Sequence, residues 1–596
     1  MEQKQKDEDI KLKLKKQYPA HVSLKKLSLK NGNLTIEIVV GLLSQQFFTV
    51  NEVLLKLRSE ASELIHLNVI KKEYRSRNRL KIRAEINLRN IKLQQFFWDF
   101  FVSISVDNIT REVRVVCDNY LIMKSLKHRV FKNTLKLPDN YISYPYITYN
   151  GGVSLTYRQK GHYETTKNKF KEYMAFIIYQ LFYRFIGKKV WLIHEKFSET
   201  AQDNSFYFFK YCYEKHPEKK VYYVIKKESA DVRNLEPFKD RVVHFMSFKH
   251  LVYLLSAKVI ISSEAKGHGY AWRVSQGIIK EKLNNKSYIF LQHGVLGLKK
   301  VDSTFNYQTA NSARLFIVSS DFEKKIVKNY FGYPESRISV TGLARWDNLK
   351  DTSLSNKEGK SKEIVLMPTW RNWLEEVEET TFLKSNYYIS YSQFLNSKEL
   401  GDLLVQNSLT LNFYVHPKFM PYVEKFSSAS KNINIIRFGD ESLNHLLMRA
   451  SLLITDYSSV AWEMYYQKKP VIFYLFDLDE YKAKQGAYMN LKKDLFGDLA
   501  FKPEELLQQI DTYAKNGFNE KKHFASKRNK YFKYMDQENS KRIYEDIQRN
   551  ESTFNKKSPV LSQIKNSDAL KVAWRKYKYY PSIRKLGEKI LGEEKK

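Results

Sequence analysis

Cysteine is scarce. The 596 residues contain two, Cys117 and Cys212, too few for a disulfide framework in a chain of this length and in keeping with a reducing compartment. Both read as buried apolar residues. Glycine (21) and proline (13) are also sparse, which excludes collagen-like and low-complexity architectures. No stretch approaches the roughly 20 consecutive apolar residues of a membrane span, and the opening MEQKQKDEDIKLKLKK has no apolar segment of the secretory kind. The expectation is a cytoplasmic protein with no signal peptide or transmembrane span. Negative charge is short as well: 101 Lys and Arg face 65 Asp and Glu, a net +36. That surplus exceeds what solubility requires and points to a polyanionic partner: nucleic acid, anionic lipid or an anionic polymer substrate.

What is present suffices for several cores. Hydrophobic residues make up 43% and aromatics 14%, which excludes wholesale disorder, and at about 150 residues per domain the length allows roughly four units. Residues 1–19 read as a charged, solvated leader. From 20 to 160 the pattern has period two: Leu34, Ile36 and Ile38 alternate with polar residues after an Asn31-Gly32 turn, and Leu80, Ile82, Ala84, Ile86 and Leu88 do the same. This predicts an antiparallel β domain, sandwich-like, without a catalytic constellation. Residues 161–187 change to helical spacing. They read either as an interfacial helix on anionic lipid or as an amphipathic linker helix packed between domains.

Short apolar strands then alternate with helical stretches in two consecutive series, 188–350 and 351–535, with a polar junction near DNLKDTSLSNKEGKSK. The fold class expected is α/β, two doubly wound Rossmann-like domains facing a cleft in the GT-B manner. Residues 536–596 read as a basic, aromatic helical tail, in which VAWRKYKYYPSIRKLGEKI interleaves cations with rings.

Ligands of open parallel sheets bind at the carboxyl ends of the strands. The polar residues there are Glu264, His293, Arg345, Asp347, Thr369, Arg371, His416, Asp456, Ser458 and Ser459. In TDYSSVAWE a strand ends at Thr455 and Ser458 or Ser459 suits the N-cap of a helix, whose free N–H groups could hold phosphate, with Glu463 one turn on facing ribose hydroxyls. An ordinary capped helix is the other reading. His293, in QHGVLGLKK, has Gly294 for close backbone approach and Lys299 and Lys300 for phosphate, while His416 in YVHPKF is followed by Lys418. A histidine at a strand end serves as a general base near neutral pH, donates to a phosphate oxygen, or is merely structural. No zinc spacing and no Walker-type loop occurs. Asp477 and Asp479 read as structural.

QHGVLGLKK, TGLARWD, MPTWR, YVHPKF and ITDYSSVAWEMYYQKKPVIFYLFDLDEY, in this order, resemble the CDP-glycerol:poly(glycerophosphate) glycerophosphotransferase family, the teichoic acid polymerases and primases of Gram-positive bacteria. AQDNSFYFFKY looks like the family's early helix. The resemblance implies a GT-B-like fold that transfers an alditol phosphate from CDP-glycerol or CDP-ribitol to the hydroxyl end of a lipid-linked anionic polymer or primer, releasing CMP. It implies His293 as catalytic base, and His416 as a contact to the donor pyrophosphate. It further implies Arg345, Arg371, Asp456, Ser458, Ser459 and Glu463 as donor-binding positions, to which Thr369 is joined. Glu264, Gly294, Lys299 and Lys418 are expected acceptor or phosphate contacts. Many members read HGTPLK where this chain reads HGVLGLK, a departure on the acceptor side. No cofactor or metal ligand set is expected, cations are expected to take much of a metal's role, and Mg²⁺ dependence is left open. The expected location is peripheral, at an anionic membrane surface on the cytoplasmic face, with no nucleic acid partner. Two rival readings are a GT-B glycosyltransferase using a nucleotide sugar and a basic nucleic-acid-binding protein.

Overall fold

The computed structural model describes residues 19–554 except 45, 59–62, 108, 131, 149, 187–189, 272–276, 310, 354–360, 376 and 438, together with Val572. The charged leader up to residue 18 and the cation-rich part of the tail, Lys571 to Lys589, apart from Val572, lie outside the described residues. The chain falls into two compact units, one dominated by the segment up to Glu172 and the other built from Tyr173–Ala271 and Leu283–Asn555.

The first unit begins with β1 (Ala20–Lys30) and β2 (Asn33–Leu42), followed by β3 (Thr49–Leu57), β4 (Leu64–Ser76), β5 (Arg79–Asn87), β6 (Phe96–Val106) and β7 (Ile109–Val116). Asn31 and Gly32 turn the first hairpin with φ of 50° and 93°, the two positive values that a tight two-residue hairpin needs. The alternation seen in the sequence is the inside–outside alternation of the strands: Leu34, Ile36, Ile38, Leu80, Ile82 and Ala84 are fully buried in one core. The expected sandwich is not what forms. Strand order runs β3-β4-β5-β2-β1-β7-β6, and β3 also pairs with β6, so the sheet closes into a barrel. Nor is it wholly antiparallel, because β1 and β7 run parallel. The reason lies in β6, whose residues from Trp98 onward pair with β3 while Phe101–Val106 pair with β7 on the other side. Closure removes the exposed strand edges that an open sheet must otherwise protect. Strands β8 (Leu135–Lys136), β9 (Tyr141–Ile147) and β10 (Val153–Gln159) extend the sheet from the start of β6.

The second unit holds two parallel sheets. The first comprises β11 (Val190–His194), β12 (Lys220–Ile225), β13 (Val242–His244), β14 (Val259–Ser262), β15 (Tyr288–Phe290), β16 (Leu315–Val318) and β17 (Ile338–Val340), in the order β13-β12-β11-β14-β15-β16-β17. The second comprises β18 (Lys362–Met367), β19 (Leu409–Tyr414), β20 (Ile433–Ile436), β21 (Ala450–Thr455), β22 (Val471–Tyr474) and β23 (Asp498–Ala500), in the order β20-β19-β18-β21-β22-β23. Both orders reverse direction once, between β11 and β14 and between β18 and β21, which are the points where doubly wound sheets open a crevice. Most strand residues are buried, as sheets covered on both faces require.

The stretch assigned to a tail begins otherwise than expected. Helix Asn539–Asn550 returns to the first sheet, where Ile543, Tyr544 and Ile547 join its core. Asp347 receives the N–H groups of Asn539 and Ser540 at 2.8 and 2.7 Å, and Gly342, with φ of 85°, lies so close that a Cβ there would overlap the Asn539 amide. Gly342→Ala is therefore expected to cost about 1–3 kcal/mol in urea unfolding, from the left-handed backbone and the overlap together. Adding Asn539→Ala should restore the part due to overlap.

Candidate active site

The mouth of the first sheet is built on a strained turn. After β15 the chain passes through Gln292 with φ of 63°, a conformation that a non-glycine residue keeps only when its surroundings enforce it. Here the buried Gln292 amide donates to Ile317 O (2.6 Å) and Glu323 Oε1 (3.0 Å). Glu323 in turn accepts the N–H groups of Leu296 and Ser319, each at 2.7 Å. The turn lifts His293 outward, leaving its side chain 66% exposed.

His293 Nδ1 lies 2.8 Å from Asp203 Oδ2 and 3.6 Å from Glu264 Oε1. Asp203 is the N-cap of helix Asn204–Lys215. The loop before it is fixed by buried Glu195, directly after β11, which accepts the N–H groups of Gln202, Asp203 and Phe206. Burial, with Asp203 adding to it, pushes the Glu195 carboxyl up to about 7. Desolvation opposes charge on the His293 ring, but Asp203 and Glu264 outweigh it and carry the imidazole up to about 9. At neutral pH His293 of the free protein is thus an imidazolium donating Nδ1–H to Asp203, and it becomes a base only toward alkaline pH.

Arg345 joins this corner to the second sheet. Its buried guanidinium donates to Asp203 Oδ1 and His293 O at 2.5 Å each, and to Glu463 Oε1 through Nε (3.1 Å) and Nη2 (2.5 Å). Trp346 Nε1 adds a third bond to the same oxygen at 3.0 Å. Glu463, expected at ribose hydroxyls, is 1% exposed and holds the two halves together, while its Oε2 has no hydrogen-bond partner. Gly294 meets Ser459 across the cleft, and a Cβ at 294 would stand 2.7 Å from Ser459 Oγ.

On the second sheet the expected donor residues divide into a buried and an open group. Arg371 has a fully buried side chain, paired with Asp456 (2.8 Å) and Asp477 (2.8 Å) and surrounded by the rings of Trp373, Tyr387, Tyr457 and Tyr481. Asp456 also accepts Thr369 N and Tyr457 N. Arg371 and Asp456 are therefore engaged with each other beneath the strand ends rather than presented to a ligand, because a charge without solvent must be paired within the fold. Thr369 is buried with a hydroxyl that has no partner. The expected serine cap is absent too: helix Ala461–Tyr466 starts from Val460 without a side-chain cap. Ala461 N and Trp462 N bond the carbonyls of Ser458 and Ser459 instead, leaving both hydroxyls half-buried at the cleft.

The open group surrounds Trp370. Lys299 Nζ lies 4.4 Å and Lys418 Nζ 5.7 Å from its ring centre, and the His416 ring lies 6.0 Å away. Lys418 pairs with Glu375. His416 Nδ1 accepts Lys418 N at 3.2 Å, which leaves Nε2 to carry the proton. Burial, then the fields of Lys196, Lys299, His293 and Lys418, push His416 down to about 3. It is a neutral donor in a cationic setting.

The fold thus assembles His293, Glu264, Gly294, Arg345, Ser459 and Glu463 at one corner and Lys299, Lys418 and His416 at another. Asp203, Glu195, Trp370 and Lys196 were not singled out from the sequence. Asp203 stood within AQDNSFYFFKY, and Glu195 and Lys196 follow a strand, so the rule on strand ends would have reached the latter two.

A model of the family described as CDP-Glycerol:Poly(glycerophosphate) glycerophosphotransferase matches residues 175–549, more than half of the chain. The chain belongs to this family. Among similar members, the minor teichoic acid biosynthesis protein GgaB of Bacillus subtilis is 29% identical over 393 residues, 63% of this chain and 41% of that protein. The teichoic acid ribitol-phosphate polymerase TarK of Staphylococcus aureus is 26% identical over 274 residues, 44% of this chain and 50% of that one. This member of the family spans about half the length of these relatives. A solved structure of the wall teichoic acid polymerase TagF aligns with a TM-score of 0.45 at 17% identity, covering 66% of this chain and 100% of that one.

The ion pair of His293 stabilises its protonated form, a contribution complete below the ordinary value near 6.5 and lost as pH rises through about 9. An NMR titration should place the His293 ring near 9, and Asp203→Asn should move it back toward the ordinary histidine range.

Proposed function

We propose that this chain transfers glycerol phosphate or ribitol phosphate from a CDP-alditol to the hydroxyl end of a lipid-linked teichoic acid primer or chain, releasing CMP. The observation that carries this reading is His293, held by Asp203 at a switch point and opposed by a cationic corner, in a chain of this family. An acceptor hydroxyl is a poor nucleophile. Once His293 has released its Nε2 proton to solvent, as it does increasingly as pH approaches 9, it would take the hydroxyl proton at Nε2 while Nδ1–H stays on Asp203, which orients the ring and stabilises the imidazolium that forms. The oxygen so freed attacks the β-phosphorus, the bond to the bridging oxygen breaks, and CMP leaves with that electron pair. The charge developing there meets His416 Nε2–H and the ammonium groups of Lys299, Lys418 and Lys196. Ser458 and Ser459 offer hydroxyls to the donor. Arg345, Arg371, Asp456, Thr369 and Glu463 act as positioning residues around it.

CMP release from CDP-glycerol or CDP-ribitol only when an acceptor is supplied is the expected outcome, and release of nucleotide from UDP- or GDP-sugars instead would overturn the reading. His293→Ala should abolish transfer while leaving CDP-alditol affinity within a few-fold, whereas His416→Ala should weaken both. The asymmetry follows because a base acts in the transition state and a phosphate donor also holds the ground state. Titration calorimetry beside single-turnover rates separates the two.

The same reading supports a peripheral position at an anionic leaflet on the cytoplasmic face. Among the described residues no helix is long and apolar enough to cross a membrane. Helix Thr166–Ile186, however, exposes Phe170, Ile177, Leu181 and Phe182 in a segment carrying Lys167, Lys169 and Lys171, a composition suited to the headgroup level. The double substitution Phe170→Glu and Leu181→Glu is expected to reduce sedimentation with anionic vesicles, most at low salt, without lowering turnover on a short soluble acceptor.

A further inference from the structure

The barrel carries a cationic face that the proposed chemistry does not use. Between residues 71 and 83, along β4, its turn and β5, seven Lys or Arg accompany one Glu. Pairing sorts them by side. Leu80, Ile82 and Ala84 point into the core, so Arg79, Lys81 and Arg83 stand on the outer face, with Lys71 opposite Arg83 and Glu73 opposite Lys81. Lys81 pairs with Glu37 at 3.4 Å, and Lys71 and Arg75 share Glu73 at 3.9 and 3.2 Å. Among the described residues no carboxylate lies within ion-pair distance of Arg77, Arg79 or Arg83, and all three are exposed. Glu37 stands opposite Arg83 but pairs with Lys81, and Glu85 follows Arg83 on the same face, so the face stays net positive and attracts an anion.

The occupant can be narrowed. Same-face residues two apart on a strand are separated by about 6.6–6.8 Å, close to the extended length of a three-carbon phosphodiester repeat. The outward positions from Lys71 to Arg83 carry no apolar or aromatic side chain that would enter a bilayer or stack on a base. The exposed rings nearby, Tyr74 and Phe47, are stacked on each other at 5.3 Å, and Tyr74 pairs with inward-facing Leu80 and donates to Phe48 O. We infer that the outer face of the β4–β5 hairpin binds a poly(glycerol phosphate) chain through successive phosphodiesters, as a site separate from the cleft that holds polymer rather than transforming it. This rests on the proposed function for the polymer's identity, but not on the catalytic roles of the histidines.

The test uses the full chain and soluble poly(glycerol phosphate), with binding followed by fluorescence anisotropy across a salt series. Replacing Arg77, Arg79 and Arg83 by Ala should weaken binding about tenfold or more and lower the salt dependence by about one counterion per cation removed. Replacing the same three by Lys should largely preserve binding, and CMP release on a short acceptor should be unchanged in both. Arg77→Gln alone, at the exposed turn, reports in the same direction if the triple variant unfolds. Unchanged polymer affinity in the alanine variant overturns the inference. So does binding of anionic vesicles or of single-stranded DNA of matched charge that is as tight as that of the polymer and falls as much in the alanine variant. Loss of CMP release from every CDP-alditol with polymer binding intact would instead count against the proposed function and leave the surface standing.

Discussion

One guanidinium is shared by three regions that are far apart in the chain. Arg345 follows β17, yet its donors reach the N-cap aspartate of an early helix, the backbone carbonyl of His293 and a carboxylate of the second sheet. Such a charge is tolerated in the interior only because Asp203 and Glu463 neutralise it, and loss of it would leave the buried Glu463 carboxylate without its cation, a change usually worth about 3–5 kcal/mol. The geometry of His293 follows from this contact. Asp203 can align the imidazole because Arg345 holds the other carboxylate oxygen, and the carbonyl of His293 itself is held by the same nitrogen. The approach of Gly294 to Ser459 is the backbone counterpart of that pairing.

The second sheet repeats the device with different partners. Arg371 sits between Asp456 and Asp477 inside a ring of aromatic side chains, and Asp456 fixes the loop that starts at Thr369 and the one that starts at Tyr457. Among the described residues each sheet therefore has one buried arginine that shapes its switch point and leaves other cations, on less buried side chains, to face the cleft. This division explains why His416 is neutral and His293 charged although both stand at strand ends. His293 has two carboxylates beside it, while His416 has burial and four cationic neighbours.

Much of the architecture was legible in the residues. Period-two alternation gave the inward faces of β2 and β5, and Asn31-Gly32 marked the hairpin turn, because both signals are local and depend on sterics of one or two residues. Two runs of apolar strands separated by helical stretches announced two parallel sheets, and the strand-end rule collected His293, Arg345, Arg371, His416 and Asp456. The pairing of β3 with β6, the parallel contact of β1 with β7 and the return of helix Asn539–Asn550 to the first sheet were not legible. Each is a contact between segments distant in sequence, and alternation specifies which face is buried without naming the strand that lies alongside.

The same boundary runs through the site. By itself the sequence determined the family, the strand ends and the residue types that gather there, since these are set by pattern and motif. Only the tertiary structure decided which of those residues are free. Arg371, Asp456 and Glu463 are enclosed by partners from other elements, and Ser458 and Ser459 lose the capping role because backbone carbonyls supply it. Asp203, whose own segment shows nothing beyond a helix start, becomes the partner of the exposed histidine. Charge state and accessibility depend on neighbours brought together by packing, and electrostatic interactions depend on distance in space, which the order of residues along the chain does not record.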